Sequence, residues 1–477
     1  MFRSSNAALR LSPIGASACG KALAHAVVAT SQEEATLFDR IAAHGSLSLE
    51  LLDASRVLEM ATAVIPIYNN PSGLERLLGS LAELEGLGKV IVVDDCSDDA
   101  DQLVAIAARF GANLHRQAAN LGPAAARNAG AKLAGANTQV LVFIDADLHL
   151  GCANAAATAI AACQAGLGFA APRVRSGHAG MNGRVAQLIA RYEASHSPLD
   201  MGPNPALMDG TGQIWYVPSA FLAIRAELFD ALGGFCENFR YGEDVDLVTR
   251  AIASGAIGYY SGESGPTHDP RAKLFDFVAQ RFHYGASATP LARVHPDRVV
   301  HFNGDEISIA ALVMPGVSML VRSALLLKQH RALRARLPEG VTVALNTSSA
   351  QAVLRSLQNE LQMIGRAVFA PLGLASIFSS RLRSRTARLL ALRAGIAFLD
   401  AMASEARPVT ISSAIEATPS AIMAVIDDLA YSTGLAFGAL TGRSLTAYRA
   451  RLRPGTAFAA LTTRSSKFRF KAPSEGA

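Results

Sequence analysis

Short apolar runs alternate with amphipathic stretches between Ala61 and about Tyr260. Ala61-Thr-Ala-Val-Ile-Pro-Ile-Tyr68 is a β-branched apolar run stopped by Asn69-Asn70-Pro71. Proline suits the first turn of a helix, so the pattern predicts a strand, a loop and a helix in succession. Lys89-Val-Ile-Val-Val93 reads as a buried strand, Gln102 to Phe110 as a helix, Gln139-Val-Leu-Val-Phe-Ile144 as a further buried strand and Ala256 to Tyr260 as another. Apolar strands alternating with helices predict an α/β domain with a mainly parallel sheet covered on both faces. Ligands of such sheets sit beyond the carboxyl ends of the strands, which is where the polar residues cluster here. Before this region Leu37, Ile41, Leu47 and Leu51 recur at loose helical spacing, and no strand-rich stretch occurs. After about Arg298 the texture turns helical, with Leu325-Leu-Leu327, Ala387 to Ala403 and Ala421 to Leu440 rich in Ala and Leu. The expected organisation is a small helical segment over residues 1–58, an α/β domain over 59–300 and an α-helical region over 301–477.

Composition narrows the class. The 477 residues are 50% hydrophobic and 17% charged, which excludes a disordered chain. A net charge of +5 without a basic stripe interleaved with aromatics argues against nucleic acid and leaves affinity for phosphates or an anionic membrane surface. Five scattered cysteines without a Cys-x-x-Cys pair suggest neither a disulfide framework nor a zinc site and fit a reducing cytoplasm. The first twenty residues lack the apolar stretch of a signal peptide. The charge-free run from Ile307 to Val321 is shorter than a bilayer crossing and reads as a buried or interfacial helix. Arg381-Leu-Arg-Ser-Arg385 and Arg388 suit lipid phosphates or simply a solvated helix face. The expectation is a cytoplasmic protein with at most peripheral contact with the inner membrane.

Acidic residues end two of the strands. Asp94-Asp95-Cys96-Ser97-Asp98-Asp99 follows the 90–93 run, where a carboxylate can accept from a base N–H or a sugar hydroxyl; a polar turn capping the next helix is the plainer reading. Tyr68 could stack on a base or merely pack. Asp145-Ala-Asp147 ends the 140–144 run, and residues two apart in extended chain point to one side, so both carboxylates can converge on a hard divalent cation such as Mn²⁺ or Mg²⁺. Arg127, in the opening turns of a helix of small residues, could reach a diphosphate, pair with a carboxylate or serve as a surface arginine. Glu243 and Asp244 fall at the start of a helix running to about Ala253, where negative charge is favoured and an ionised carboxylate can take a proton from a hydroxyl; capping is again the plainer reading. His268 lies in the proline-bounded loop Gly265-Pro-Thr-His268-Asp-Pro270, where a neutral imidazole could complete a metal shell or stand exposed.

Taken together, Val64-Ile-Pro-Ile-Tyr-Asn69, Val93-Asp-Asp-Cys-Ser97, Asn120-Leu-Gly with Arg127-Asn128, Asp145-Ala-Asp147, Gly233-Gly-Phe and Gly242-Glu-Asp-Val-Asp246 resemble the inverting GT-A glycosyltransferases related to cellulose and chitin synthases. The resemblance covers roughly Ala61 to Pro270. It implies that Asp95 contacts uracil, Asp145 the ribose and Asp147 the metal, and that Asp244 is the base. Cys96 and Cys236 depart from it, standing where glycine and aspartate are commoner. Pro266-Thr-His-Asp-Pro-Arg271, Gln280-Arg-Phe-His-Tyr-Gly-Ala-Ser-Ala-Thr-Pro-Leu-Ala-Arg-Val-His-Pro296 and Asp427-Asp-Leu-Ala-Tyr-Ser-Thr-Gly-Leu-Ala-Phe-Gly438 resemble the mycofactocin-system glycosyltransferases more narrowly. Arg10-Leu-Ser-Pro-Ile-Gly-Ala16 is similar to that family's winged-helix-like amino-terminal segment, here shortened. The narrower resemblance implies glucose transfer from UDP-glucose to a peptide-derived redox cofactor, building a short oligosaccharide, with Arg281 as an acceptor or phosphate contact. The competing expectations are a related transferase for a lipid-linked or cell-envelope glycan, and a GT-A-like binding protein without turnover. Retention of Asp95, Asp145, Asp147 and Asp244 together speaks against the last.

Overall fold

The β-branched run at Ala61 becomes strand β1 (Ala61–Ile67), apolar on both faces and buried except for half-buried Pro66. A computed structural model describes residues 60–82, 84, 87–151, 153–177, 183–210, 214–299, 302–304, 347–404 and 411–452. The helical segment expected over 1–58, with its winged-helix-like stretch, and the apolar runs at 307–321 and 325–327 lie outside the described residues. Two compact units emerge. One comprises Met201–Phe235, Leu247–Pro266 and the described residues up to Val174, and the other Arg175–Asp200, Cys236–Asp246 and the described residues from Thr267 onward.

In the first unit, Asn70 caps helix α1 (Pro71–Leu81) by accepting from the Gly73 N–H at 3.1 Å, and Pro71 takes the first helical position. Strand β2 (Lys89–Asp94), helix α2 (Ala100–Arg109), strand β3 (Asn113–Arg116), helix α3 (Pro123–Leu133) and strand β4 (Val140–Ile144) follow. In chain order β5 (Leu148–His149), α4 (Ala153–Gln164), β6 (Phe169–Ser176), α5 (Arg184–His196), β7 (Ala206–Met208), β8 (Phe221–Arg225), α6 (Ala226–Ala231), α7 (Glu243–Ala253) and β9 (Gly258–His268) come next, α5 and the start of α7 falling in the second unit. The sheet runs β3-β2-β1-β4-β8-β6-β9-β5, with β7 on β9. Strands β3, β2, β1 and β4 are mutually parallel, as expected, whereas β8 is antiparallel to both β4 and β6. A fully buried strand is apolar throughout in either direction, so the Phe221-Leu-Ala-Ile run carries no sign of its orientation. Strand β9 also reaches eleven residues, through to His268; its Gly- and Pro-rich second half reads from sequence as a loop. Helix α3 lies close on β1, and a Cβ at Gly130 would collide with Val64. Phe143, Phe229 and Phe235 form an aromatic knot, with ring centroids 4.9 to 5.6 Å apart, in the core beside α3.

The second unit is helical. Besides α5 and the start of α7 it holds α8 (Leu274–Val294), α9 (Thr347–Phe378), α10 (Ser380–Ser404) and α11 (Ile411–Thr441), with a parallel strand pair β10 (Phe302–Gly304) and β11 (Ala450–Leu452). Helices α8 and α11 cross at backbone contact, because a Cβ on Gly434 or Gly438 would strike the Phe282 or Ala286 carbonyl. Arg281 of α8, Arg366 of α9 and Arg393 of α10 face Glu193 of α5 and Asp427 and Asp428 of α11. Arg281 reaches Glu193 at 2.6 Å and Asp427 at 3.4 Å, Arg366 reaches Asp427 at 3.0 Å, and Arg393 reaches Asp428 at 2.6 Å. Three cations thus meet three carboxylates, the condition for burying charge at all. Burial favours the neutral acid at Asp427, but Arg366 and Arg281 outweigh it and hold the carboxyl below its ordinary range; at Asp428 burial wins, to about 6. The stretches Leu357–Phe378 and Ala417–Thr441 are long and apolar enough to cross a membrane by length and composition, yet this network sits at their middles.

Candidate functional site

Parallel pairing of β2, β1 and β4 brings three strand ends to one edge of the sheet: Asp94-Asp95, Tyr68 and Asp145. Each carboxylate there has a defined occupation. Asp94 is fully buried, accepting from Arg116 at 2.6 Å and from the Ser97 N–H at 2.8 Å, so it locks the β2 turn against β3. Asp95 is 4% exposed, and its two oxygens accept the Leu121 and Gly122 N–H groups, each at 2.8 Å. It therefore holds the turn that opens α3, and a contact with a base would use its remaining lone pairs. Asn69 and Asp98 tie the β1 and β2 loops, Asn69 donating to the Asp98 carboxylate at 3.0 Å and accepting from the Asp98 N–H at 2.8 Å. Both Asn69 (φ 52°) and Cys96 (φ 65°) adopt the left-handed region, which explains why position 96 suits glycine. The Tyr68 ring stands 51% exposed beside these loops, available for stacking.

Asp145 and Asp147 occupy the turn between β4 and β5, both half-buried, the turn closed by the Leu148 N–H on the Asp145 carbonyl at 3.1 Å. Arg127, buried in the second turn of α3, donates to Asp145 at 2.6 Å. Arg127 thus pairs with a carboxylate, one of the uses open to it, and at 3% exposure it is not a surface arginine. Its neighbour Asn128 donates to the Phe235 carbonyl and accepts from the Phe235 N–H, both at 2.9 Å, while Arg250 donates to the Leu232 and Gly234 carbonyls at 2.8 Å. The Gly233-Gly-Phe turn is thereby clamped to the helix that carries Arg127. The sequence marks Asn128 as part of a motif with Arg127 but gives no sign of its partner Phe235.

Among the described residues no group of three or more His, Cys, Asp or Glu comes together to hold a metal ion. The donor set at the strand end is instead two carboxylates, one already held by Arg127. That fits a hard divalent cation that takes most of its shell from water and substrate phosphates, and does not fit an all-protein cage. His268 is buried at the end of β9, and its carbonyl accepts the Gly177 N–H at 2.8 Å.

In the helical unit, Glu243 and Asp244 open α7. Glu243 is buried, whereas Asp244 is half-buried and accepts the Val245 N–H at 2.8 Å. Helix α8 seats this helix start: His283 stacks on Tyr241 at 4.7 Å, Leu291 fills the space at Gly242, and the His295 ring meets the Asp246 carboxylate at 2.8 Å. The Gln280 to Pro296 motif thus supports the Gly242 to Asp246 motif. Arg281, expected as an acceptor or phosphate contact, is 1% exposed and spends its guanidinium on Glu193 and Asp427, with the Phe277 ring 4.6 Å away.

Residues 62–150 match the model of glycosyl transferase family 2. Two strains of Mycobacterium tuberculosis carry a protein named pre-mycofactocin glycosyltransferase that is 31% identical over 402 residues, covering 82% of this chain and 82% of theirs. A mannosyltransferase from Pyrobaculum calidifontis, solved with GDP-mannose and Mn²⁺, is 16% identical and aligns over 89% of this chain and 100% of its own, at a TM-score of 0.42. The chain is a glycosyltransferase whose α/β unit is of the GT-A type, and it belongs to the pre-mycofactocin glycosyltransferase family.

Proposed function

We propose that the protein transfers glucose from UDP-glucose to a peptide-derived redox cofactor precursor, premycofactocin, with inversion at the anomeric carbon, and repeats the step to build a short oligosaccharide. The acceptor rests on one observation, the 31% identity to relatives named for that activity across 82% of both chains. The chemistry draws support from the acidic strand ends that share one edge of the sheet. Tyr68 stacks on the base, the loop held by Asp95 borders it, and Asp145, oriented by Arg127, accepts from the ribose hydroxyls. A divalent cation at Asp147, Mn²⁺ or Mg²⁺, supplies positive charge against the diphosphate; His268 is the candidate for a further contact to it. Asp244 takes the proton from the acceptor hydroxyl as that oxygen bonds to the anomeric carbon and the bond to the diphosphate breaks, releasing UDP. The half-exposed position of Asp244, against buried Glu243, favours it as the base. The protein works in the cytoplasm, and its helical unit makes reversible, peripheral contact with the inner membrane.

A second reading, transfer to a lipid-linked or envelope glycan, draws on the two long apolar helices. Incubating the purified protein with a panel of nucleotide sugars, with Mn²⁺ or Mg²⁺ and with either acceptor, while following nucleotide release, tests both. Release from UDP-glucose that depends on premycofactocin supports the first reading; release that depends only on the lipid acceptor supports the second.

A further inference from the structure

Helices α9 and α11 run parallel. Arg366 meets Asp427 and the Ala370 N–H meets the Ser432 hydroxyl at 2.9 Å, so partners lie 61 and 62 residues apart along the two helices. Helix α10 turns back between them, with Ser376 bonded to Thr386 at 2.9 Å and Arg393 to Asp428. Continued to the helix ends, this register places Phe378, Leu440 and the first turns of α10 at one end of the bundle. Apolar side chains gather there in the open: Leu374, Ile377 and Phe378 at the end of α9, the last 84% exposed, and Phe437 and Leu440 at the end of α11, the latter 77% exposed. Beside them stand exposed Arg381, Arg385 and Arg388 of α10 and Arg443 just beyond α11. The charge is one-sided, since residues 367–399 and 429–452 contain no aspartate or glutamate.

The geometry points to this end of the helical unit as a docking surface for an anionic lipid bilayer, with Phe378, Ile377 and Leu440 entering the headgroup boundary and the arginines meeting lipid phosphates. The inference rests on the peripheral membrane contact proposed above and names where it is made. Large apolar side chains clustered in water mark an interaction site. A basic ring around them selects an anionic membrane, where apolar insertion and charge attraction act together. Crossing the bilayer along α9 and α11 would instead carry Arg366, Asp427 and Asp428 into hydrocarbon, whereas docking by the end leaves that network inside the protein.

Sedimentation of the full-length protein with vesicles of phosphatidylcholine alone, and of phosphatidylcholine with phosphatidylglycerol, tests this. Wild type should bind the anionic vesicles, release in high salt and ignore the neutral ones. The charge-removing variant R381Q/R385Q/R388Q should lose about fivefold in partitioning per arginine. F378S/I377S should lose at least tenfold, with melting temperature and sugar transfer unchanged in both. Wild type that ignores anionic vesicles overturns the membrane reading itself. Wild type that binds while both variants bind equally well overturns only the assignment to this end. Light scattering that reports a dimer abolished by F378S/I377S identifies a second copy as the occupant and likewise overturns the proposal.

Discussion

Arg127 donates to Asp145 at 2.6 Å, joining the second turn of α3 to the end of β4 across 18 residues of chain. The arginine is 3% exposed and the aspartate 30%, so the pair is a fixed strut between helix and strand end. Arg127→Ala should destabilise the α/β unit by roughly 1.5–3 kcal/mol, the range for a hydrogen bond between charged groups. It should also raise the KM for the nucleotide sugar, because Asp145 loses its orientation. Urea unfolding and initial rates check this; unchanged stability together with unchanged KM would make the pair incidental.

Glu243 and Asp244 are adjacent yet differently placed, one buried and one half-buried. Asp244→Asn should lower kcat by roughly 10²–10⁴ while leaving nucleotide-sugar affinity intact, the loss typical of a missing general base. Glu243→Gln should affect stability more than turnover. The reverse pattern in single-turnover kinetics would move the proton acceptor to Glu243.

Cys96 carries φ 65° where the family pattern favours glycine. A left-handed L-residue costs roughly 1–2 kcal/mol, and glycine gives back about 0.5–1 kcal/mol through its freer unfolded chain. Cys96→Gly should therefore stabilise the α/β unit by up to about 1.5 kcal/mol, read as a higher urea midpoint. A lower midpoint would mean that the Cys96 side chain contributes more than its backbone costs.

Burial lowers the His196 ring to about 4 from its ordinary 6.5, where it stacks flat on Tyr192 at 4.4 Å. Neutral histidine is the folded form, so its contribution to stability is full above pH 6.5 and is lost as pH falls toward 4, up to about 3 kcal/mol. Asp428, raised by burial to about 6, works in the opposite sense, since a raised acid favours folding at low pH. Comparing His196→Gln with wild type isolates the histidine: the wild type should lose ground to the variant between pH 6.5 and 4. A stability difference constant across that window would place the ring in contact with solvent.

The strand-helix alternation made β1, β2, β4 and the start of α7 legible, because buried parallel strands are short apolar runs and helix starts carry their own capping chemistry. Tertiary partners were not legible. Nothing local in Asp95 announces that its oxygens hold the Leu121 and Gly122 N–H groups, nor in Arg281 that three arginines and three carboxylates balance inside a helical unit. The direction of β8 and the length of β9 were hidden for related reasons: burial on both faces erases alternation, and glycine and proline at a strand's second half imitate a loop.

The central claim, hexose transfer from a nucleotide sugar to a peptide-derived acceptor, is tested most directly by intact mass analysis of premycofactocin after incubation with the protein, UDP-glucose and a divalent metal. A ladder of successive hexose additions is predicted with wild type, and none with Asp147→Asn, whose fold and melting temperature should be unchanged. Bare acceptor after incubation, alongside efficient sugar transfer to a lipid phosphate by the same preparation, would contradict it.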